Sequence, residues 1–186
     1  MNKPAKIVIV LGLLLAVAMG FLYGKGLLSV HQGIEPPASL AALKLQNPPK
    51  PAPDVAFYDA AGGRHTLAEY KGRYVLMNFW ATWCAPCVAE LPALAKLKVR
   101  VPGMALLAVN LDRGDVDAGS FLKSHRAAPL GVLTDKDTVM MKTFVLIGMP
   151  TTLLIDPDGN VVARAEGPAE WATPEAVKYF KRITGS

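Results

Sequence analysis

Hydrophobic and polar positions change rhythm several times along the chain, and each change marks an element. Residues 7–24 (IVIVLGLLLAVAMGFLYG) run for 18 positions without a charge. Wound as a helix they would rise about 27 Å, close to a bilayer core. The run has no polar face, which disfavours a buried helix of a soluble domain. From His31 to Asp54 the rhythm dissolves around Pro36, Pro37, Pro48, Pro49, Pro51 and Pro53, with one helix-compatible piece over 38–45. Proline continues neither a ladder nor a helix interior, so residues 30–53 are expected to be a stiff spacer, with the folded domain over 54–186.

Within that domain, 55–58 and 65–67 read as a short hairpin around 59–63. Residues 74–80 (YVLMNFW) are a nearly continuous apolar run, the mark of a central strand buried on both faces. From Cys84 to Val99 apolar residues recur at helical spacing, with Pro92 expected to interrupt and kink the helix. Residues 104–111 (MALLAVNL) predict a second buried strand and 115–123 a short helix. Then 130–133, 138–144, 151–155 and 161–165 read as strand, helix, strand, strand. Asp156-Pro-Asp-Gly159 supplies the last turn, and Thr173-Pro174 caps and starts a closing helix over 173–183. The class predicted is α/β, a central mixed sheet with helices on both faces and an N-terminal β-hairpin.

Charge changes the picture mainly at the N-terminus. The chain carries 20 Lys and Arg against 15 Asp and Glu, but Lys3, Lys6 and Lys25 belong to the first 29 residues, leaving the rest nearly balanced. No basic stripe with interleaved aromatics exists, so nucleic-acid binding is not expected. Lysines concentrated before the apolar run keep its N-terminal end cytoplasmic and send the following domain across the membrane. Residues 1–29 are therefore expected to be a transmembrane anchor in a bacterial inner membrane, with the domain in the periplasm. A cleaved signal peptide, with small residues at Ala16-Val17-Ala18 or Ala18-Met19-Gly20, is the rival, and the length of the run favours the anchor.

The chemistry centres on Cys84-Ala85-Pro86-Cys87, placed between the buried strand and the helix; these are the chain's two cysteines. At a helix N-terminus, unpaired N–H groups and the dipole favour a thiolate, which makes Cys84 the nucleophile. Cys87, one turn into the helix, is placed to resolve a mixed disulfide. Pro86 fixes the first turn at little cost. A zinc site needs four ligands, whereas the chain offers one cysteine pair and only His31, His65 and His125, scattered in predicted loops. No metal or cofactor is expected. A purely structural disulfide stands as an alternative, weakened by the little entropy a two-residue loop closes. Glu90 follows Cys87 by one helical turn, so it either tunes the thiols or is a solvated first-turn glutamate. Trp80 is expected in the core and Trp83 on an exposed substrate groove. Met140 and Met141 are expected as core filler rather than copper ligands. Glu170-Trp171 is given no chemistry.

Asn78-Phe-Trp-Ala-Thr-Trp-Cys84-Ala-Pro-Cys87, then Glu90-Leu91-Pro92 and Gly148-Met149-Pro150-Thr151-Thr152-Leu-Leu-Ile-Asp156, resemble the membrane-anchored TlpA/ResA branch of the thioredoxin superfamily from about Ala52 to the C-terminus. The resemblance implies a thioredoxin-like fold with a cis proline at Pro150 facing the disulfide, so that the backbone of Met149 pairs with an extended substrate strand. It puts Asn78 where thioredoxin carries a buried aspartate, which removes one proton acceptor, and matches Glu90 to the family's glutamate near the active site.

The function implied is reduction of disulfides in client proteins, with the Cys84–Cys87 pair re-reduced by a membrane donor of the DsbD/CcdA kind. Family clients include apocytochrome c and copper-site proteins of cytochrome oxidase. The segment 145–150 (VLIGMP) replaces the GVYGAPE-like stretch of dedicated cytochrome c maturation thioredoxins, which shifts the expectation toward a TlpA or general ResA-like role. Rival readings are a disulfide-donating oxidant and a non-catalytic binding module or chaperone of the same fold. A peroxiredoxin is disfavoured, because Ala81 stands where that family's PxxxTxxC signature has Ser or Thr.

Overall fold

The computed structural model describes residues 35–186, so the anchor or signal peptide expected over 1–29, and the first residues of the expected spacer, lie outside the described residues. Among the described residues no helix is long and apolar enough to cross a membrane. The strands are β1 (Leu43–Pro51), β2 (Phe57–Asp59), β3 (Arg64–His65), β4 (Val75–Trp80), β5 (Ala105–Asn110), β6 (Leu133–Thr134), β7 (Thr151–Ile155) and β8 (Asn160–Glu166). The helices are α1 (Ala85–Arg100), α2 (Ala118–Ser124), α3 (Met140–Thr143) and α4 (Pro174–Thr184). All eight strands join one sheet in the order β1-β8-β7-β4-β5-β6-β2-β3.

The two uninterrupted apolar runs form its middle, every residue of β4 and β5 being buried. They run parallel, and β7 lies antiparallel on the other side of β4, with Asn78 opposite Thr152 and Phe79 opposite Thr151. Alternation along β4 sends Leu76 and Trp80 to one face, where they meet Leu91, Leu94 and Leu97 of α1 and Phe180 of α4. Val75, Met77 and Phe79 face the other way, toward Met140 of α3, Phe144 and Phe57. Each fully buried leucine or phenylalanine contributes about 1.5–3 kcal/mol. Helices do cover both faces, but among the described residues the second face has only the single turn of α3 and the 3-10 turn Leu67–Tyr70.

The proline-rich stretch departs from the spacer reading. Leu40 and Leu43 are in the core, and 43–51 forms an edge strand paired with β8. Pairing runs from Leu43 opposite Ala165 to Leu45 opposite Ala163, then breaks and resumes at Lys50 opposite Val161. Pro48 and Pro49 occupy the break, where a missing N–H costs no ladder bond; the Asn47–Pro48 bond is cis. Proline excludes a central strand, and the spacer reading overlooked that it tolerates an irregular edge. The 38–45 piece is a 3-10 turn (Ala38–Leu40) leading into this strand.

Smaller differences follow from local backbone. The strand expected over 130–133 shrinks to β6, because Pro129 starts a 3-10 turn and Gly131 takes φ 74°. The helix expected over 138–144 is confined to α3 by Thr138 and Val145, at φ 53° and 49°. Pro92 does not interrupt α1, which continues to Arg100 at the loss of one backbone bond. The closing helix matches its signals: the Thr173 side chain accepts from the Ala176 N–H at 3.2 Å, Pro174 follows, and Gly185 caps the end at φ 68°.

Candidate active site

β4 ends at Trp80 and four residues, the last of them Cys84, carry the chain to α1. That connection is pinned rather than loose. The Asp112 carboxylate, just past β5, accepts from the Thr82 N–H at 2.9 Å and its hydroxyl at 3.1 Å, and Asn110 Nδ2 donates to it at 2.7 Å. The Cys84 N–H donates to the Ala81 carbonyl at 3.2 Å. Asp112 went unnoticed in the sequence because no spacing rule links positions 30 residues apart.

Cys84 is the N-cap of α1 and is bonded to Cys87 as a disulfide, with the two Cα atoms 5.3 Å apart. Its sulfur accepts from the Cys87 N–H at 3.3 Å. In a reduced protein the same N–H and the end of the helix dipole would favour a thiolate at Cys84. Cys84 is 6% exposed and Cys87 0%, so the first sulfur is the one a substrate can reach. Pro86 is exposed in the first turn, and Trp83 stands 68% exposed beside the disulfide, while Trp80 is core.

Opposite this end of β4 comes the start of β7. The register sets Thr151 against Phe79, which brings Met149 and Pro150 to the edge from which the Cys84 loop leaves. Met149 is half-buried and packs against the cluster that holds both cysteines. The Met149–Pro150 bond is cis, and the Pro150 carbonyl accepts from the Gly167 N–H at 2.8 Å. Of the paired methionines, Met140 is fully buried, whereas Met141 is exposed, contrary to the core-filler expectation for both; the second lies on the outer side of a one-turn helix.

Glu90 is no solvated first-turn residue: it is 5% exposed. Its Oε1 accepts from Asn78 Nδ2 at 2.8 Å, and its Oε2 from Trp171 Nε1 at 2.8 Å and the Ala169 N–H at 3.4 Å. Asn78 Nδ2 also donates to Thr152 Oγ1 at 2.9 Å, while its Oδ1 is buried without a donor. Burial pushes the Glu90 carboxyl above the ordinary carboxylate range, and the donors from Trp171, Asn78 and Ala169 only partly oppose it. A groove of about 450 Å³ opens beside it, between Pro86, Ala89 and Ala93 on α1 and Pro168 and Ala169 on the loop before α4. Trp171 and Thr152, to which the sequence reading gave no part, complete this polar cluster. The indole's role is visible only in three dimensions, since 81 residues separate it from Glu90.

A disulfide at a helix N-terminus, a cis proline at the start of the strand facing that end of β4 and a mixed sheet of this order define a thiol–disulfide oxidoreductase of thioredoxin-like fold. The sequence profile of the AhpC/TSA family matches residues 48–164. The thiol-disulfide oxidoreductase ResA of Bacillus thuringiensis subsp. konkukian is 34% identical over 137 residues, 73% of this chain and 78% of that protein. ResA of Bacillus subtilis is 34% identical over 118 residues, 62% of this chain and 65% of that protein. A solved structure from Chlorobium tepidum, assigned as the thiol:disulfide interchange protein DsbE, superposes with a TM-score of 0.64 at 29% identity, covering 74% of this chain and 97% of that one. The chain belongs to the AhpC/TSA family of thioredoxin-fold proteins and, within it, to the ResA-like thiol-disulfide oxidoreductases.

Proposed function

We propose that the protein reduces disulfides in client proteins through Cys84 and Cys87. The observation that carries this reading is Cys84 at the N-cap of α1, its sulfur on the Cys87 N–H and the more accessible of the two. The Cys84 thiolate attacks one sulfur of a client disulfide, forming a mixed disulfide and releasing the other client sulfur as a thiolate. The Cys87 thiolate then attacks Cys84 Sγ, closing the Cys84–Cys87 bond and releasing the second client sulfur. Two electrons pass to the client, whose two thiolates take up the two protons that the Cys84 and Cys87 thiols gave up. Glu90, raised by burial, is suited to holding or passing a proton as Cys87 changes state. Trp83, Pro86 and Met149 offer the surface on which the client chain lies, with Pro150, itself buried, next to Met149 behind it.

The domain works on the periplasmic side of a bacterial inner membrane, tethered by residues 1–29; the uncharged run and its flanking lysines support this. A membrane donor of the DsbD/CcdA kind restores the dithiol. Clients are apocytochrome c or copper-site proteins, and the VLIGMP stretch over 145–150 favours the broader TlpA or ResA-like range. The test is insulin reduction driven by dithiothreitol. Cys84→Ser abolishes the catalysed rate if this reading holds, whereas a holding activity toward unfolded clients that survives Cys84→Ser, with no catalysed reduction in the wild type, would make the protein a chaperone.

A further inference from the structure

Among the described residues seven large apolar side chains are exposed, and four of them, Val139, Met141, Val145 and Ile147, fall within nine positions on the approach to Met149 and Pro150. Clustered apolar groups facing water mark an interaction surface more often than a scattered few do. The segment that carries the last two is rigidly held. Val145 sits at φ 49°, a left-handed value that a β-branched residue rarely adopts and that persists only where the surroundings impose it. Leu146 is buried in the core cluster with Phe79 and Phe144, and its N–H donates to the Met141 carbonyl at 2.8 Å. Val145 and Ile147, on either side, therefore point out, the second 78% exposed.

The restraint comes from β8. Arg164 donates Nη1 to the Phe144 carbonyl at 3.0 Å and Nη2 to the Val145 carbonyl at 2.8 Å, while its Nε donates to Glu166 Oε1 at 2.9 Å. A planar guanidinium matches two successive carbonyls as a fork, which a lysine ammonium cannot do. Downstream, the Thr151 hydroxyl donates to the Gly148 carbonyl at 2.7 Å, so the segment is tied at both ends.

We propose that Arg164 is a positioning residue for client recognition: it fixes residues 144–149 so that Val145 and Ile147 form an apolar ledge, continuous along the chain with Met149 and Pro150, that takes apolar side chains flanking the disulfide of a protein client. The proposal rests on the reading that Cys84–Cys87 exchanges with protein disulfides. A small disulfide needs only the sulfurs and gains nothing from the ledge, so the two kinds of substrate separate positioning from chemistry.

The test is single-turnover oxidation of the dithiothreitol-reduced full chain, freed of reductant, by insulin and by hydroxyethyl disulfide, followed by tryptophan fluorescence. Arg164→Lys and Ile147→Ser each lower the rate constant with insulin about tenfold and leave that with hydroxyethyl disulfide within twofold. The double variant loses little beyond either single one, because both remove the same ledge. Equal losses with both disulfides, no loss with insulin, or fully additive losses overturn the proposal. Ile147 is exposed, so its serine variant keeps the test valid should Arg164→Lys unfold. A wild-type chain oxidised by hydroxyethyl disulfide but never by insulin would overturn the client reading itself, and the ledge with it.

Discussion

A buried carboxylate over the middle of the sheet and a pair of exposed ones at its β2–β3 edge make similar hydrogen bonds and titrate in opposite directions. Near the disulfide, Glu90 accepts from Asn78, Trp171 and Ala169, all neutral donors, in a buried setting, and its carboxyl is raised. At the β2–β3 hairpin, Asp59 accepts from the Ala61 and Gly63 N–H groups and Glu69 from the Thr66 N–H, and both hold His65, at 3.1 and 2.8 Å. There the carboxyls are lowered, chiefly by the hydrogen bonds to His65, and the imidazole is raised by the same partners, Glu69 first. Hydrogen bonds alone do not decide which form a carboxyl prefers. Water and the charge of the partner do: a chargeable histidine in solvent favours the carboxylate, and neutral donors in a dry site do not repay its burial. The first arrangement favours the protonated carboxyl one helical turn beyond Cys87, and the second ties down a surface hairpin.

The comparison is sharpened most by Glu90→Ala. Removing the carboxylate orphans the buried Trp171 indole N–H and one bond of Asn78, and stability should fall by about 2 kcal/mol, read from urea unfolding. Trp171→Phe comes next, at roughly 1 kcal/mol. Because the indole bond favours the carboxylate, its loss should also push Glu90 further up, visible as a shift in the pH profile of exchange. Third is the pH dependence of stability. A raised carboxyl gives stability that is fully present below its unfolded value and is lost as pH rises through the folded one, so the wild type should weaken across that window while Glu90→Gln stays flat. The smallest effect is expected from Glu69→Gln, a substitution in solvent, which should lower the His65 titration seen by NMR and barely move the urea midpoint. For this cluster the signs are reversed on the acid side: Asp59 and Glu69 stabilise above their ordinary values and lose that as pH falls through the lowered ones, whereas the His65 contribution fades as pH rises through its raised value. If Glu69→Gln destabilised as much as Glu90→Ala, burial would not be what separates the two clusters.

Legibility in the sequence followed the range of the forces involved. The central strands, the hairpin, α1 and the cap-proline start of α4 were readable because apolar periodicity and capping are local signals. The cysteine pair at a strand-to-helix junction was readable for the same reason. What escaped was set by partners far along the chain. The 43–51 strand exists because β8 offers it an edge, and its prolines hid it. Glu90 was recognised as near the site but not as buried, since its exposure depends on Trp171 and the loop before α4. Asp112 and Arg164 carry no motif, and Thr152 lies in the Gly148–Asp156 stretch without a role of its own being legible there; each acts through a backbone or side chain that only the fold brings near.

The most direct measurement is the reduction potential of the Cys84–Cys87 pair in the full-length protein, equilibrated against a thiol buffer and read by tryptophan fluorescence. A value near or below about −250 mV, approaching thioredoxin at roughly −270 mV, is what a client reductase fed by a membrane donor requires. A value near about −120 mV, that of a strong periplasmic oxidant, would reverse the direction of electron flow and contradict the account.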